Sequence, residues 1–318
     1  MARSVEFEAA PARGGAIIRE LLRATRPRQW IKNTWVFAAI AFSGERLWTQ
    51  PPKVALVLGA FVLFCMAAGS IYLINDLVDI EKDRAHPKKR RRPLASGRLR
   101  PGIAIAAAIA LMLAVLPGAY LLDSFDGPGP NLDLLAVMVA YILVQGLLYT
   151  YWLKNIVIVD IFTIAAGFLL RAVAGAVVLD IDVSSWLLTC MGLLALFLGL
   201  GKRRAELVLL EDGATEHRRI LQEYSLPMLD QLISIVTAAT IIAYTLFTTT
   251  ASTLPHTRYP VMMATIPFVV YGIFRYIYLI HHHRGGGSPE ELVLKDRPLA
   301  ADIALYGLAV LALLFYFR

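Results

Sequence analysis

Long apolar stretches separated by short charged loops run along nearly the whole chain. The apolar runs reach about 18 or more residues, the length that crosses a bilayer as an α-helix. They are continuous rather than alternating, and they are too long to be strands of a membrane barrel. The pattern therefore predicts an all-α, polytopic membrane protein with about nine transmembrane helices. The predicted spans are 31–45, 54–76, 101–122, 132–151, 156–178, 185–201, 229–250, 260–280 and 299–317.

The composition supports a membrane protein. Of the 318 residues, 58% are hydrophobic and 17% are charged, whereas an average soluble domain is about 25% charged. We expect one transmembrane domain, 29–318, preceded by a basic, amphipathic segment, 1–28. That segment lacks an apolar core followed by a small-residue cleavage site, so we expect no cleaved signal peptide. Cys65 and Cys190 lie within apolar runs and are expected to be buried free thiols.

The positive charge is concentrated in alternate loops. The segment 77–100 carries nine Lys or Arg residues and the segment 202–228 carries five, whereas 123–131 carries none. The positive-inside rule then places the N-terminus and the basic loops in the cytoplasm. The expected location is the plasma membrane, with the active site facing the cytoplasm. The net charge of +7 is explained by topology and an anionic ligand. We expect no nucleic-acid partner, because no soluble basic domain with interleaved aromatic residues is present.

The stretch "NDLVDIEKDRAHPKKRRRPLASG" (75–97) places acids at the end of the second span. If the helix continues, Asp76, Asp79 and Asp83 share one face, whereas Glu81 points elsewhere. Carboxylates clustered at a membrane boundary either have raised pKa values or are neutralised by a cation, and hard oxygen ligands favour Mg²⁺, or Mn²⁺ as an alternative ion. Mg²⁺ commonly completes its shell with substrate phosphates. The alternative is a solvated helix end whose acids pair with nearby Lys and Arg.

The basic run "HPKKRRRP" (86–93) follows within a few residues. It is either a topogenic signal or a phosphate clamp, and the two roles are compatible because Arg forks and Lys ammonium groups both bind phosphate. The residues predicted to contact substrate in this region are Asn75, Lys89, Arg90 and Arg92.

The same stretch resembles the first aspartate-rich motif of the UbiA superfamily of intramembrane prenyltransferases. Within that superfamily, four further stretches are similar to the polyprenyl-phosphate phosphoribosyltransferases. They are "RPRQWIKN" (26–33), "LKNIVIVDIFTIAAGFLLRAVAGA" (153–176), "GKRRAEL" (201–207) with "EYS" (223–225), and "SPEELVLKDRPL" (288–299). The sequence departs from the aromatic prenyltransferases in having a single aspartate, Asp160, where they carry D-x-x-x-D.

The resemblance implies a UbiA-like helical bundle that uses phosphoribosyl diphosphate as donor and a polyprenyl (decaprenyl-like) phosphate as acceptor. The implied reaction is Mg²⁺-dependent, releases diphosphate and serves the synthesis of arabinan precursors of the cell envelope. Two alternatives stay open: an aromatic prenyltransferase of the same fold that uses a polyprenyl diphosphate, and an anion transporter. Membrane lipids surround the protein, and a homo-oligomer is left open.

Polar residues on one face of the fifth span are the next candidates. Asp160 is expected near the mouth of the bundle as a second metal ligand or a partner of the ribose hydroxyls, unless it forms a structural ion pair with another helix. Arg171 lies about 16 Å deeper along the helix and is expected to brace the bundle. Small residues on that face favour close helix packing. The face comprises Asp160, Thr163, Gly167, Arg171 and Gly175.

Several residues outside these stretches complete the predicted site. With the resemblance, Lys202 and Arg203 are favoured as phosphate contacts, although Lys202 and Glu206 are also spaced to pair on a helix. Arg28 and Lys32 are four residues apart and are predicted to face the same anionic pocket, and Tyr224 lies in the "EYS" stretch. No function is assigned to His281, His282 and His283.

Overall fold

The computed structural model describes residues 14–43, 45–85, 89–125, 132–182, 184–211, 219–255, 258–282, 292 and 295–317. Every regular element within these ranges is helical. The α-helices are α1 Gly15–Ala24, α2 Ala38–Phe42, α3 Pro51–Val78, α4 Ile80–Ala85, α5 Pro101–Asp123, α6 Asp133–Tyr141, α7 Val159–Val177, α8 Ser185–Glu211, α9 Leu226–Thr250, α10 Ile266–His282 and α11 Arg297–Phe317.

Shorter helical segments join these elements. A π-helical segment, Ile142–Leu148, and a further turn, Tyr149–Tyr151, continue α6. A 3₁₀-helix, Pro27–Phe37, precedes α2. The other 3₁₀ segments are Leu47–Thr49, Lys89–Arg91, Leu153–Asn155, Arg219–Glu223 and Val261–Thr265.

Eight helical segments among the described residues are long and apolar enough to cross a membrane, and they confirm eight of the predicted spans. The first predicted span, 31–45, has a different form, since the 3₁₀-helix is followed directly by the short α2. Because a 3₁₀-helix rises about 2.0 Å per residue, the stretch 27–42 extends about 30 Å, close to the thickness of the hydrocarbon core. Arg26, immediately before this stretch, contacts Asp76, and Phe42 at its end packs on Phe247 at the opposite end of the bundle.

The bundle has two packed halves that meet between α7 and α8. In the first half, α3, α5, α6 and α7 enclose a core with the 3₁₀-helix; Phe64, Leu134 and Met138 are fully buried there. In the second half, α8 to α11 enclose two further cores, which include Phe197 and Phe247. Both cysteines are buried free thiols, as predicted.

Arg171 braces the first half of the bundle, as expected. It is buried in α7 and donates from Nε to Asn33 Oδ1 at 2.7 Å and from Nη1 to the Gly167 carbonyl oxygen at 2.6 Å. Its Nη2 donates to the Tyr141 hydroxyl at 2.7 Å, and its guanidinium lies 4.7 Å from the centroid of that ring. Because each nitrogen of the guanidinium donates to a protein acceptor, Arg171 joins the 3₁₀-helix, α6 and α7.

Gly175 permits the closest approach between α7 and the 3₁₀-helix. A Cβ atom at this position would lie 1.8 Å from the carbonyl oxygen of Val36 and 2.8 Å from its carbonyl carbon. Backbone atoms cannot rotate away as a side chain can, so only the absence of a side chain allows this contact.

We therefore expect Gly175→Ala to lower the free energy of unfolding by about 1–3 kcal/mol, the range for overpacking a well-filled site. The measurement is thermal unfolding of the purified protein in detergent. Gly307→Ala is the matched control, because it lies within α11 and a Cβ there has no atom within 4 Å. Equal melting temperatures for the two variants would contradict the predicted contact.

Candidate active site

The charged residues of the candidate site gather at one end of the bundle. The chain direction places the end of α3, the end of the helical stretch that begins with α6, the start of α7, the end of α8 and the start of α9 at this end. Two clusters of charge lie there, one on α3 and the loop that follows it, and one shared by α7 and α8. We call this region the charged end.

The first cluster is built around Asp76 in the last turn of α3. Its carboxylate is 2% exposed, and Oδ1 accepts from Arg26 and from Arg92 Nη1, the latter at 3.1 Å. The same nitrogen of Arg92 lies 2.5 Å from Asp83 Oδ2, and Asp83 is also buried. Two buried carboxylates are thus bridged by one guanidinium, which offsets their mutual repulsion.

The expectation of one continuous helix through the acids is wrong. Helix α3 ends at Val78, Asp79 has φ −100° and ψ 15°, and α4 begins at Ile80. The break turns Asp79 outward, where its side chain is 31% exposed and 3.7 Å from Lys82. Within the described ranges, no three His, Cys, Asp or Glu side chains converge as metal ligands. The predicted trio therefore consists of a bridged pair and one outward-facing carboxylate.

The donor atoms of this cluster nevertheless fit a hard divalent cation. Asp76, Asp79 and Asp83 offer only oxygen ligands, which suit Mg²⁺ or Mn²⁺. The half-exposed carboxylate of Asp79 lies beside the buried pair in the chain, and the guanidinium of Arg92 occupies the position between Asp76 and Asp83. A cation that replaced Arg92 there would satisfy the same two buried carboxylates.

Arg26 is a contact that the sequence pattern did not single out. The predicted contact of this stretch, Arg28, is exposed, whereas Arg26 reaches Asp76 and lies 4.8 Å from the Tyr72 ring centroid. Arg26 has the left-handed backbone conformation, φ 54°, which is uncommon for residues other than glycine. Its position before Pro27 signals a turn, but no sequence pattern specifies which arginine turns toward the acids.

The second cluster is built around Asp160 in the first turn of α7. Its carboxylate is 0% exposed, Oδ2 accepts from Arg203 Nε at 2.6 Å, and Oδ1 accepts from the Tyr224 hydroxyl at 2.7 Å. The Tyr224 oxygen in turn accepts from the backbone N–H of Ile158 at 2.6 Å. Burial and the bond to Asp160 raise the pKa of Tyr224, so the hydroxyl stays protonated and donates at neutral pH.

Arg203 retains one buried donor beyond these bonds. It is 0% exposed; Nε binds Asp160 and Nη1 binds Glu206, but Nη2 has no hydrogen-bond partner within the described part of the chain. A buried N–H group without an acceptor costs about 1–3 kcal/mol. Both oxygens of Asp160 accept protein hydrogen bonds, so Asp160 orients Arg203 and holds its Nη2 in place.

Lys202 adds positive charge beside Arg203. Its ammonium lies 4.0 Å from Glu206 Oε1, as the helical spacing indicated, and it interacts electrostatically with Lys32, Tyr149 and Arg203. Lys32, from the 3₁₀-helix, is half-buried. The sequence-predicted residues Lys32, Lys202, Arg203 and Tyr224 are therefore brought together with Asp160.

The end of the helical stretch that begins with α6 links the two clusters. The Thr150 hydroxyl donates to Asn75 Oδ1 at 2.8 Å, one residue from Asp76. The preceding residue, Tyr149, interacts electrostatically with Lys202 and Arg203. The turn Tyr149–Tyr151 thus connects the carboxylate cluster on one side with the basic cluster on the other.

The remaining candidates lie toward the surface. Lys89 and Arg90 are exposed in the short 3₁₀ segment. His281 Nε2 is 3.4 Å from Asp230 and the ring of His282 stacks on Tyr278, while His283 lies outside the described residues.

Comparisons with known proteins identify the family of the chain. The sequence model of the UbiA prenyltransferase family matches residues 34–290. A protein from Mycolicibacterium smegmatis named decaprenyl-phosphate phosphoribosyltransferase is 39% identical over 307 residues, which cover 92% of each chain. A protein of the same name from Mycobacterium tuberculosis is 36% identical over 302 residues, covering 92% of this chain and 95% of the relative.

A solved structure shares the fold. It is a UbiA homolog from Archaeoglobus fulgidus bound to GPP and Mg²⁺, with a TM-score of 0.67 and 17% sequence identity. The match covers 93% of this chain and 99% of that chain. Together with the eight apolar helices, this likeness shows a multi-pass membrane protein with the UbiA fold.

The buried ion pair of Asp160 and Arg203 leads to a prediction about stability. We expect Asp160→Asn to lower the free energy of unfolding by about 3–5 kcal/mol, because it leaves the charge of Arg203 poorly compensated inside the bundle. Asp79→Asn is the control, since its half-exposed contact with Lys82 is worth about 1 kcal/mol or less. Thermal unfolding in detergent measures both. An Asp160→Asn protein as stable as Asp79→Asn would show that the ion pair with Arg203 is not structural.

Proposed function

Because the chain belongs to the UbiA prenyltransferase family, we propose that it transfers the 5-phosphoribosyl group of phosphoribosyl diphosphate to a polyprenyl phosphate. The product is a lipid phosphoribosyl phosphate, and diphosphate is released. The names of the relatives at 36–39% identity support this substrate pair. The observation that carries the proposal is the pairing of a carboxylate cluster with a separate basic cluster at one end of the bundle.

The carboxylate cluster suits the donor. We assign Asp76, Asp79 and Asp83 as the residues that would hold Mg²⁺, or Mn²⁺ in its place. A divalent ion bound there supplies charge neutralisation for the departing diphosphate. Arg26 and Arg92, which neutralise Asp76 in the structure, have guanidinium donors of the kind that bind phosphate oxygens in pairs. Lys89 and Arg90 are exposed beside them and attract the polyanionic donor.

The basic cluster suits the acceptor. A phosphate monoester is already an anion, so its oxygen attacks ribose C1 without a strong general base. The bond between C1 and the diphosphate oxygen breaks, and its electron pair leaves with diphosphate. Arg203 Nη2, Lys202 and Lys32 hold the acceptor phosphate, while Asp160 and Tyr224 fix Arg203 in place. Arg28 is exposed near the same stretch, and Asn75 positions the link to Thr150.

The proposed setting is the cytoplasmic face of the plasma membrane. The water-soluble donor enters from the cytosol at the charged end, and the polyprenyl tail stays among the apolar helices. Transfer onto a decaprenyl-like phosphate would supply a pentose carrier for arabinan of the cell envelope.

An aromatic prenyltransferase is the second candidate, since the A. fulgidus homolog is solved with GPP and Mg²⁺. One observation disfavours it for this chain. In the second cluster the only described aspartate on α7 is Asp160, and both of its oxygens accept protein hydrogen bonds, from Arg203 and Tyr224. A prenyl diphosphate site of this kind would need a second pair of carboxylates for a metal. Here the single Asp160 is bound to Arg203 instead.

The test incubates the purified protein with phosphoribosyl diphosphate labelled in the ribose, a polyprenyl phosphate and Mg²⁺. We expect a labelled lipid and free diphosphate, with no product when the metal is chelated. Labelled prenyl groups on an aromatic acceptor, without any labelled ribose lipid, would favour the second candidate. Net movement of donor across proteoliposomes without any product would favour an anion transporter.

We predict that Asp76→Asn and Asp79→Asn each lower kcat by at least about 100-fold, because each removes a charge that holds the metal and the diphosphate. Glu81→Gln, in the adjacent α4, is the matched control, since its side chain is 84% exposed and pairs with Arg84. That variant should keep the wild-type rate. A wild-type rate in Asp79→Asn would mean that the acids form only a solvated helix end.

A further inference from the structure

Helix α1 carries more apolar surface than the protein covers. Its inward side packs on the bundle through Ile17, Leu21 and Ala24. The next positions around the helix, Ile18 and Leu22, are 64% and 52% exposed. At about 100° per residue these five positions form one continuous apolar arc. One half of the arc faces protein, and the other half faces outward.

The contacts of α1 place it beside turns of α3 and α5 that lie slightly inside the charged end of the bundle. Thr25, which follows α1, packs on Gly69 of α3, where a Cβ would lie 3.0 Å from the threonine Cβ. Gly69 precedes the end of α3 at Val78 by about 13 Å of helix. Ala24 shares a core with Ala108, which lies about 10 Å inside the start of α5. The exposed half of the arc is therefore level with apolar parts of the membrane-spanning helices.

The polar side of α1 is basic. Arg19 and Arg23 are exposed one turn apart, on the side of Ile18 and Leu22 that is turned away from the bundle. Arg23 pairs with Glu20 at 2.5 Å, whereas Arg19 has no ion-pair partner among the residues that the structure describes. Helices with an apolar half and Arg at its edge lie in the plane of a membrane interface and favour anionic lipids.

We propose that α1 is an interfacial helix that binds anionic phospholipids at the charged end. Ile18 and Leu22 enter the acyl region beside α3 and α5. Arg19, with Arg23, binds lipid phosphates. This surface and its partner are separate from the donor and acceptor sites.

Helix α1 is connected to the first cluster in two ways, through hydrogen bonds and through the chain itself. Glu20 is buried and accepts from Arg98 Nε at 3.0 Å, and Arg98 Nη2 donates to the Arg91 carbonyl oxygen at 2.7 Å, next to Arg92. At the end of α1, Thr25 leads directly into Arg26, which binds Asp76. Both arginines that neutralise Asp76 are thus held by elements that α1 anchors, so the lipid under α1 influences their position.

The test uses the full chain in nanodiscs of phosphatidylcholine alone or mixed with phosphatidylglycerol. An environment-sensitive fluorophore is attached to Ile18→Cys and, as the matched control, to Ala16→Cys, which is exposed on the opposite side of α1. The native thiols are buried, and labelling of the unsubstituted chain measures their background. We expect nitroxide-bearing lipid to quench the label at position 18 and aqueous iodide to quench the label at position 16.

Equal responses of the two labels, to either quencher, would overturn the proposal. Because this readout needs no turnover, it stands even if the proposed transfer reaction is not found.

A second arm tests the charge and the link to the site, and this arm rests on the proposed function. We expect the transfer rate to rise with phosphatidylglycerol, and Arg19→Gln to reduce that rise by about fivefold, the effect of one basic residue near an anionic surface. Arg258→Gln, in a loop at the opposite end of the bundle, should keep the full rise. An Arg19→Gln response identical to that of Arg258→Gln would overturn the lipid contact of Arg19.

Discussion

The neutralisation of Asp76 controls the arrangement of the charged end. A carboxylate buried at the end of a membrane-spanning helix is unfavourable unless cations satisfy it. Arg26 reaches Asp76 from the stretch before the first crossing, and Arg92 reaches it from the loop after α3 while also binding Asp83. These bonds fix the N-terminal stretch and the basic loop over the end of α3. The same carboxylates suit a divalent metal ion, which would compete with Arg92 for Asp76 and Asp83.

The second cluster satisfies the same constraint with a different chemistry. Asp160 and Arg203 are both fully buried, and the two carboxylate oxygens accept from Arg203 Nε and the Tyr224 hydroxyl. The pair therefore fixes a guanidinium whose Nη2 is buried and has no hydrogen-bond partner among the described residues. One half of the charged end presents carboxylates and the other presents cations. This division is the basis of the proposed assignment of a metal-bound diphosphate to the first cluster and a phosphate to the second.

The sequence predicted the features that depend on local composition. Continuous apolar runs located eight spans, and the buried Arg171 was correctly expected to brace the bundle. Features that depend on backbone direction were missed. The break at Asp79 separates the acids, and the left-handed Arg26, rather than Arg28, reaches Asp76. The pairing of Asp160 with Arg203 and Tyr224 joins residues far apart in sequence, so it was only one of the alternatives that helical periodicity left open.

In the proposed reaction, a metal-bound diphosphate would take the place of Arg92 between Asp76 and Asp83. A cryo-EM structure of the protein in a nanodisc, with Mg²⁺ and phosphoribosyl diphosphate, tests it most directly. The expected map shows an ion beside Asp76, Asp79 and Asp83, with Arg92 moved from Asp83 to a phosphate oxygen. A donor bound at Lys202 and Arg203, with Arg92 still bridging Asp76 and Asp83 and no ion beside them, would contradict it.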